Sequence, residues 1–529
     1  MKQATSENLF GHIRESQSIS ISSTRGKWVL LVAILGSSMA FIDSTAMNIV
    51  FPVLQVELDA TIPQVQWIAA SYAIFLASLM MLGGALGDKF GRKRIFAMGV
   101  VIFSISSVWC GLSPSTSQLS IARAFQGIGG ALLVPGSLAI INVFFKDGEK
   151  GKAIGIWSAF TAVTTAIGPI LGGWLSENYS WRLVFFINIP IAIVVLGTLI
   201  LKIPESRGEH RDRKLDIWGS CLITGALGSI VFGLIESSNI GYSNPYVINS
   251  FILGFILLCV FVYVESRVDN PIMPLSLFRS RTFAGANVAT FLFWGSWAGA
   301  IFFIPFNLIQ VQGYTPTEAG LVFLPVVVPL FLISRKSGAL IERYGAKLLL
   351  VVGQIIAALG YIMFVLPEIG GSYWRTFFAP LMILGVGMAI SIAPMTTALM
   401  NSVPESYSGL ASGVNNTLGR IGGLMAITVF GLVALITFNM YLDSKIESIN
   451  VPSEIKEIID DQRTKLAAIE VPDSIDFELK RKLENAIDFS FIGSFRILMM
   501  ISAGILVLNA FIALLTIEGK RKKSKGKDL

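Results

Sequence analysis

The chain has 529 residues, of which 53% are hydrophobic and only 14% are charged, and its formal net charge is +7. A soluble core cannot bury that much apolar surface, so the composition excludes an ordinary soluble protein and indicates a polytopic membrane protein. Nucleic-acid binding is not expected, because the Lys and Arg residues fall in short loops and in the tail 520–525. The three cysteines lie in apolar segments, so no disulfide framework is expected.

Runs of about 20 apolar residues, long enough to cross a bilayer as a helix, recur along nearly the whole chain. Membrane β-barrels show short alternating segments instead, so we predict an all-α polytopic membrane fold. Fourteen transmembrane helices are predicted, at residues 29–51, 64–86, 95–112, 117–143, 152–176, 182–201, 217–236, 246–264, 283–309, 317–339, 347–367, 374–400, 409–440 and 490–516.

The predicted helices form two groups of six with two extra helices between them. The glycine-and-charge loop 84–94 recurs in weaker form at 338–347, as duplicated halves require. The predicted units are a tail 1–27, a six-helix bundle 28–202, a linker 203–282 with the two extra helices, a second six-helix bundle 283–516 and a basic tail 517–529.

Lys and Arg cluster in every second loop, which the positive-inside rule places in the cytoplasm together with both termini. Residues 1–27 lack an apolar core, so no cleavable signal peptide is expected. The polar stretch 441–489 falls on the outer side. Its apolar residues recur at helical spacing after Pro452 and Ser453, which predicts an amphipathic hairpin over the outer mouth. A solvated insertion without a role in transport is the alternative.

An acidic residue, Asp43, lies about two-thirds of the way through the first predicted span. A charge at that depth costs about 2.5–3.5 kcal/mol unless it faces a cavity, so Asp43 is the leading proton-binding residue. Thr45 and Asn48 lie on nearly the same helical face and would be its partners. A structural carboxylate that is hydrogen-bonded to a neighbouring helix is the alternative.

The fourth span contains Arg123 and Gln126 beside a glycine-rich face. Because an arginine does not deprotonate, Arg123 is a fixed charge that can hold or release a carboxylate as helices move, which would couple proton binding to conformation. An arginine that only anchors the helix at the membrane surface is the alternative.

Two motifs predict moving contacts between helices. In the loop 84–94, Asp88 can pair with Arg92 across Gly91 and with a helix end of the other half, which predicts a conformational latch rather than a substrate ligand. The alternative is a plain topology signal. In the fifth span, the motif predicts a hinge or seal, or plain packing, at Gly168, Pro169, Gly172 and Gly173.

Polar residues within spans usually face the interior of the bundle. Glu236, Glu265 and Glu318 lie near span ends and are expected to be solvated. The residues expected to line a central cavity are Asn48, Gln126, Asn415, Asn416 and Arg420, with aromatic contacts from Phe41, Phe291, Phe293, Trp294 and Trp297.

The sequence lacks a phosphate-binding loop, a Cys/His cluster and a nucleophile motif. No catalytic residue, metal site or cofactor is therefore expected, and the chain is not expected to be an enzyme. With no means of ATP hydrolysis, energy must come from a gradient.

Taken in order, these motifs resemble those of the fourteen-span drug:proton antiporter branch of the major facilitator superfamily, the EmrB/QacA-like multidrug efflux transporters. The resemblance implies a proton-coupled antiporter that exports amphiphilic compounds by alternating access, with Asp43 and Arg123 in proton coupling. The matching segments are 84–94, Asp43 to Pro52, 119–131, Gly168 to Gly173 and Trp181 to Pro190.

The partners that the resemblance implies are a small-molecule substrate, protons and membrane lipids. It also implies a monomer in the bacterial plasma (inner) membrane and, in a double-membrane bacterium, a periplasmic adaptor. Dications are not favoured because Asp43 has few supporting carboxylates, so neutral amphiphiles, zwitterions or monocations fit better. Two alternatives stay open: an exporter of an endogenous siderophore, lipid or peptide, and a non-transporting sensor that binds a partner through 441–489.

Overall fold

The computed structural model describes residues 19–207, 215–268, 271–334, 336–366, 368–404, 407–449 and 451–519. The predicted N-terminal tail up to residue 18 and the basic tail from residue 520 lie outside the described residues. Fourteen helices in the described part are long and apolar enough to cross a membrane. The all-α class and the number of predicted transmembrane helices are therefore confirmed.

The first six candidate spans include helices whose N-termini are capped by side chains. At the start of the first helix, Ser23 Oγ accepts a hydrogen bond from Gly26 N at 3.0 Å. The second helix starts with a capping box between Thr61 and Gln64. The helices are α1 (Thr24–Glu57), α2 (Ile62–Phe90), α3 (Arg92–Leu112), α4 (Thr116–Phe144), α5 (Asp147–Asn178) and a sixth span divided into α6 (Leu183–Phe186) and α7 (Asn188–Lys202).

The two extra helices are α8 (Ile217–Ile240) and α9 (Pro245–Glu265). The first of them is fixed to α2 at two points. Thr224 Oγ1 donates to Ser78 Oγ at 2.8 Å, and Trp67 Nε1 donates to Glu236 Oε1 at 2.8 Å. Helix α9 packs on α8 and leaves many of its large apolar side chains exposed, as expected for a surface that faces lipid.

The five candidate spans that follow α9 are less regular than the first six. The helices are α10 (Arg281–Phe306) followed by a π-helical turn (Asn307–Val311), a divided span of α11 (Pro316–Leu321) and α12 (Leu324–Ser334), a short loop helix α13 (Ser337–Tyr344), α14 (Ala346–Met363), α15 (Ala379–Met400) preceded by a π-helical turn (Trp374–Phe378), and α16 (Ser408–Ile446).

The polar stretch 441–489 differs from the separate hairpin that the sequence predicts. Helix α16 continues to Ile446, and the last span, α18 (Phe477–Thr516), already begins at Phe477. Between them lie α17 (Ser453–Asp461) and a 3-10 helix (Arg463–Ala468). Helix α17 begins at Ser453, and Pro452 occupies its N-cap position, so the helix starts where the sequence pattern begins.

The junctions of α2 with α3 and of α4 with α5, and the segments after α7 and α9, lie at one end of the bundle. We call it the basic end because Lys and Arg residues such as Lys89, Arg92, Lys146 and Arg207 cluster there. Hydrogen bonds between chain segments at this end support the grouping. Ile19 N donates to Phe144 O at 2.8 Å, and Arg92 N donates to Ser206 O at 2.8 Å. The other end, called the opposite end, carries α17 and the 3-10 helix Arg463–Ala468.

Candidate functional site

A buried ion pair joins α1 to α4. Arg123 Nη1 donates to Asp43 Oδ2 at 2.5 Å, and Gln126 Nε2 donates to Asp43 Oδ1 at 2.9 Å. Arg123 Nη1 also donates to Gln126 Oε1 at 2.7 Å. The side chains of Asp43 and Arg123 are 0% and 2% exposed. Both carboxylate oxygens are thus satisfied, and separating the pair without new partners would leave a buried charge uncompensated.

Residues from α3 and α7 support this network through Ser107. Its Oγ accepts hydrogen bonds from Gln126 Nε2 at 3.3 Å and from Asn188 Nδ2 at 3.0 Å, and it donates to Phe185 O at 2.8 Å. Four elements therefore converge on one carboxylate, which fixes the orientation of the Gln126 amide and, through it, of Asp43.

The aromatic ring of Tyr72, on α2, covers the guanidinium of Arg123. The distance from Arg123 Cζ to the ring centroid is 4.2 Å, a cation–π contact. The hydroxyl of Tyr72 and Nε of Arg123 are buried and have no hydrogen-bond partner among the described residues. Arg123 therefore keeps unused donor capacity next to the carboxylate that it neutralises.

A cavity of about 2380 Å³ lies between the two six-helix groups. Phe51 and Ile301 line its deep part, and Lys89, Lys146 and Glu205 line its mouth at the basic end. Arg123 forms part of the wall, whereas Asp43, which does not line the cavity, lies behind it. In this state the guanidinium separates the carboxylate from the cavity.

Four of the five polar residues predicted for the cavity lie in its wall, namely Asn48, Asn415, Asn416 and Arg420. Gln126 does not, and its placement is a correction. It is fully buried and turned toward Asp43, because it lies three residues after Arg123 on the same face of α4.

Of the five aromatic residues predicted to contact the substrate, three line the cavity and two do not. Phe41, Trp294 and Trp297 line the cavity. Phe293 is buried in the core and Phe291 is not among the lining residues, so these two were placed wrongly by the sequence. Successive residues of α10 point to different sides, and hydrophobicity does not reveal which side faces the cavity.

The opposite end is closed by contacts between the two halves. The rings of Phe51 and Phe302 lie 5.4 Å apart between centroids. Gln310 Nε2 donates to Gln55 Oε1 at 2.9 Å, and Gln55 Nε2 donates to Lys465 O at 2.9 Å. The cavity is therefore open at the basic end and sealed at the opposite end.

The residues around Lys465 form a compact unit, here called the clasp, which comprises α17 and the 3-10 helix Arg463–Ala468. Lys465 forms an ion pair with Asp59, just after α1, and Arg463 pairs with Asp443 of α16 at 2.5 Å. Beyond the clasp, Lys480 donates to Asp473 and holds the pKa of that exposed carboxyl below its usual range. The clasp thus connects the end of α1 to the last two spans.

The glycine motif of α5 also lies where the halves meet. A Cβ built at Gly168 would lie 1.9 Å from Thr45 Oγ1, and one built at Gly173 would lie 2.1 Å from Pro316 O. A Cβ at Gly320 would in turn lie 2.5 Å from Pro169 O. Glycine lets α5 approach α1 on one side and α11 of the other half on the other. The remaining motif residue is Gly172, packed against α1 at Ala46.

In the loop between α2 and α3, Asp88 pairs with Arg92 at 2.8 Å, and both residues line the mouth of the cavity. Gly91 has φ +117°, and a Cβ there would lie 2.6–2.8 Å from the carboxylate of Glu205. Asp88 is half exposed and makes no ion pair with the other half among the described residues.

Two carboxylates outside the predicted site also organise the basic end. Glu205 accepts hydrogen bonds from Lys93 N at 2.9 Å and Arg94 N at 3.2 Å, so it caps the start of α3. Glu265, expected to be solvated, is 3% exposed and accepts a bond from Met273 N at 2.9 Å. The available signal was an acidic residue at the boundary of a basic loop.

Sequence reasoning missed the supporting residues Tyr72, Ser107 and Asn188. Single Ser, Asn and Tyr residues are common in spans, so only their contacts distinguish them. Among the described residues, no group of three or more His, Cys, Asp and Glu side chains is placed to hold a metal ion. The site thus consists of a buried carboxylate, Asp43, whose ion-pair partner Arg123 lines a large open cavity.

Comparisons with known proteins agree with this architecture. A family model described as Major Facilitator Superfamily matches residues 33–427. The tetracenomycin C resistance and export protein of Streptomyces glaucescens is 32% identical over 416 residues, which cover 78% of this chain and 77% of that protein. The multidrug resistance protein Stp of Mycobacterium tuberculosis (strain CDC 1551) is 32% identical over 419 residues, covering 79% and 78%.

A solved structure supports the same fold. A bacterial homologue of the human lysosomal transporter Spinster, in an inward-facing and occupied conformation, matches with a TM-score of 0.67 and 19% identity, covering 94% of this chain and 97% of that chain. At that identity the match shows the fold alone. Together with the family model and the relatives, it establishes that this chain is an integral membrane transporter of the major facilitator superfamily.

Proposed function

We propose that the protein is a proton-coupled antiporter that exports small amphiphilic compounds by alternating access. The observation that carries this proposal is the cavity between the two halves, open at one end only, with the Asp43–Arg123 pair directly behind its wall. The relatives named for tetracenomycin C resistance and export and for multidrug resistance support efflux of drug-like compounds.

In the state described here, the substrate enters the cavity from the basic end. Asp43 is held by Arg123 and Gln126, so its charge is compensated while the cavity is loaded. Because Arg123 also forms the cavity wall, a substrate that contacts the guanidinium can weaken its hold on the carboxylate. Substrate binding and proton binding thereby act on the same side chain.

Rocking of the two six-helix bundles closes the basic end and opens the opposite end. A shift of α1 relative to α4 then separates Asp43 from Arg123, and Asp43 takes up a proton after the substrate has left. Return to the present state restores the ion pair and releases the proton at the basic end. One proton moves inward for each return of the empty carrier.

The remaining motifs serve the movement and not the ligand. We assign Gly168, Pro169, Gly172 and Gly173 to the seal of the opposite end, where a side chain would separate the helices. Asp88, Gly91 and Arg92 form a latch that engages the other half only when the basic end closes. Asp88 pairs locally with Arg92 in the present open state, as this role requires.

The basic end is assigned to the cytoplasm by the positive-inside rule, which places both termini inside and the clasp outside. The membrane is then the bacterial plasma membrane, and the transporter acts as a monomer. In a double-membrane bacterium, a periplasmic adaptor would approach the clasp side.

The test is proton flux in liposomes that contain the purified full-length protein and an imposed pH gradient. Anionic, neutral and cationic amphiphiles are added in turn. A compound that is transported dissipates the gradient only when the protein is present. If no compound moves protons, drug efflux is excluded, and comparison of cell metabolites with and without the protein then tests export of an endogenous compound.

A further inference from the structure

Arg420 is a cation without a counter-ion in the part of the chain that the structure describes. It lies on α16 and lines the cavity, and it forms no ion pair or hydrogen bond with a described residue. Its titratable neighbour among the described residues is the phenol of Tyr72, and no carboxylate interacts with it. Arg420 is half-buried, and a half-buried charge without a partner is costly, so a ligand in the cavity that carries the opposite charge would compensate it.

Arg123 differs from Arg420 because its charge is compensated within the protein. Both arginines line the same cavity, but Arg123 is neutralised by Asp43 at 2.5 Å. Asp43 itself does not line the cavity, so it offers no free negative charge to a ligand. The deep part of the cavity therefore presents one uncompensated positive charge and no accessible carboxylate among the described residues.

The mouth of the cavity adds to this positive field. The basic lining residues outnumber the acidic ones there, so an anion is attracted into the cavity and a cation is repelled. The charged lining residues at and near the mouth are Lys89, Arg92, Arg94, Lys146, Lys150 and Arg207 against Asp88, Glu205 and Asp216.

The aromatic lining of the cavity suits an aromatic compound. Phe41, Trp294 and Trp297 line the cavity and offer flat apolar surfaces. Tyr72 also lines the cavity, although its hydroxyl oxygen is buried. The planar guanidinium of Arg420 matches a carboxylate or phenolate oxygen group.

We propose that the cavity selects amphiphiles with an aromatic body and one anionic oxygen group, either a carboxylate or a phenolate, and that Arg420 is the counter-ion of this group. The inference rests on the proposed function as an exporter and specifies its substrate class. It replaces the preference for neutral amphiphiles, zwitterions and monocations that the sequence suggests, because among the described residues the carboxylates that line the cavity lie at and near its mouth and none lies beside Arg420.

Three probes that share one ring system test the proposal: 9-anthracenecarboxylate, 9-anthracenemethanol and 9-(aminomethyl)anthracene. Binding to the purified full-length protein is measured by quenching of tryptophan fluorescence. We expect the carboxylate to bind about tenfold more tightly than the alcohol, as for a charge-assisted hydrogen bond, and the ammonium compound to bind most weakly. Arg420→Gln should abolish the tenfold preference, whereas Arg420→Lys should retain part of it.

Arg375→Gln is the matched control, because Arg375 is exposed at the opposite end and does not line the cavity. It should leave all three affinities unchanged. Thermal unfolding distinguishes a structural role. Because Arg420 has no hydrogen-bond or ion-pair partner to lose among the described residues, Arg420→Gln should unfold at or above the wild-type temperature, and a clear decrease would show that the residue stabilises the fold instead.

Equal binding of the three probes, preference for the ammonium compound, absence of carboxylate binding, or an unchanged preference in Arg420→Gln would each overturn the proposal. These outcomes are separate from failure of the proposed function. Proton-coupled flux of neutral or cationic compounds without anion preference would reject the substrate class and keep the exporter, whereas selective anion binding without flux would keep the substrate class and reject export.

Discussion

Lys465 of the clasp forms an ion pair with Asp59, which follows α1, and so joins the two halves of the transporter across the closed end. The pair does not act alone, because the Lys465 carbonyl also accepts a hydrogen bond from the buried Gln55 side chain at 2.9 Å. Opening of this end must separate both contacts. The clasp is thus a stabiliser of the state that is open at the basic end.

Lys465→Met should shift the population toward opening at the opposite end. An exposed ion pair contributes about 0.2–1 kcal/mol, so a change of at most about fivefold in the equilibrium is expected. The distance between the halves is measured by pulsed electron paramagnetic resonance. The spin labels are attached at Tyr179→Cys and Trp374→Cys, two exposed positions at the opposite end. Lys456→Met, on the exposed face of α17, is the control and should leave the distance distribution unchanged.

Gly173→Ala should prevent closure of the opposite end. A Cβ there would lie 2.1 Å from the Pro316 carbonyl oxygen, and a backbone atom cannot turn aside as a side chain can. The same pair of spin labels should therefore report a longer distance. Gly155→Ala is the matched control on the same helix, because nothing lies within 4 Å of a Cβ at that position. An unchanged distance in Gly173→Ala would show that the motif is not part of the seal.

Arg123→Gln should destabilise the protein more than the double variant Arg123→Gln with Asp43→Asn. The single change leaves a buried carboxylate without its cation, a cost of about 3–5 kcal/mol, whereas the double change removes both charges. Thermal unfolding of the purified variants gives the comparison. Proton-coupled transport should be absent from both. A double variant that is less stable than Arg123→Gln would show that the two side chains do not compensate each other.

Asp88→Asn should slow transport without weakening substrate binding. The ion pair of Asp88 in the present state is with Arg92 of its own half, so its loss should affect the state in which the basic end is closed. The expected result is a lower kcat for flux in liposomes with an unchanged equilibrium Kd for the substrate. Lys202→Gln, an exposed charge change outside the cavity lining, provides the control. A change in Kd for Asp88→Asn would place the residue in substrate recognition instead.

The fourteen spans follow from the sequence because apolar length alone determines a membrane helix. The predicted helix boundaries are wrong where a helix continues beyond its apolar segment. Helix α18 begins at Phe477, well before the predicted 490, because Lys480 and Arg481 exclude that part from an apolar window without preventing helix formation. The polar stretch 441–489 shows the same effect. Helices α16 and α18 both extend into it, and hydropathy does not predict these extensions.

The site was predicted as separate residues and not as an arrangement. Asp43 and Arg123 each carry a charge that must be explained within a span, but they are 80 residues apart, and their contact depends on how α1 packs on α4. Gln126 was placed in the cavity because a polar residue in a span faces the interior, and the interior here includes both the cavity and Asp43. Helical periodicity cannot separate two polar surroundings on adjacent faces.

The most direct test of proton coupling is substrate-driven proton flux in liposomes with an imposed pH gradient, compared between wild type, Asp43→Asn and the control Asp461→Asn. Asp461 is exposed at the end of α17, so its charge can be removed without touching the cavity. Wild type and Asp461→Asn should dissipate the gradient when a transported compound is added, and Asp43→Asn should not. Substrate-driven proton flux that persists in Asp43→Asn would contradict the assignment of proton coupling to the buried pair of Asp43 and Arg123.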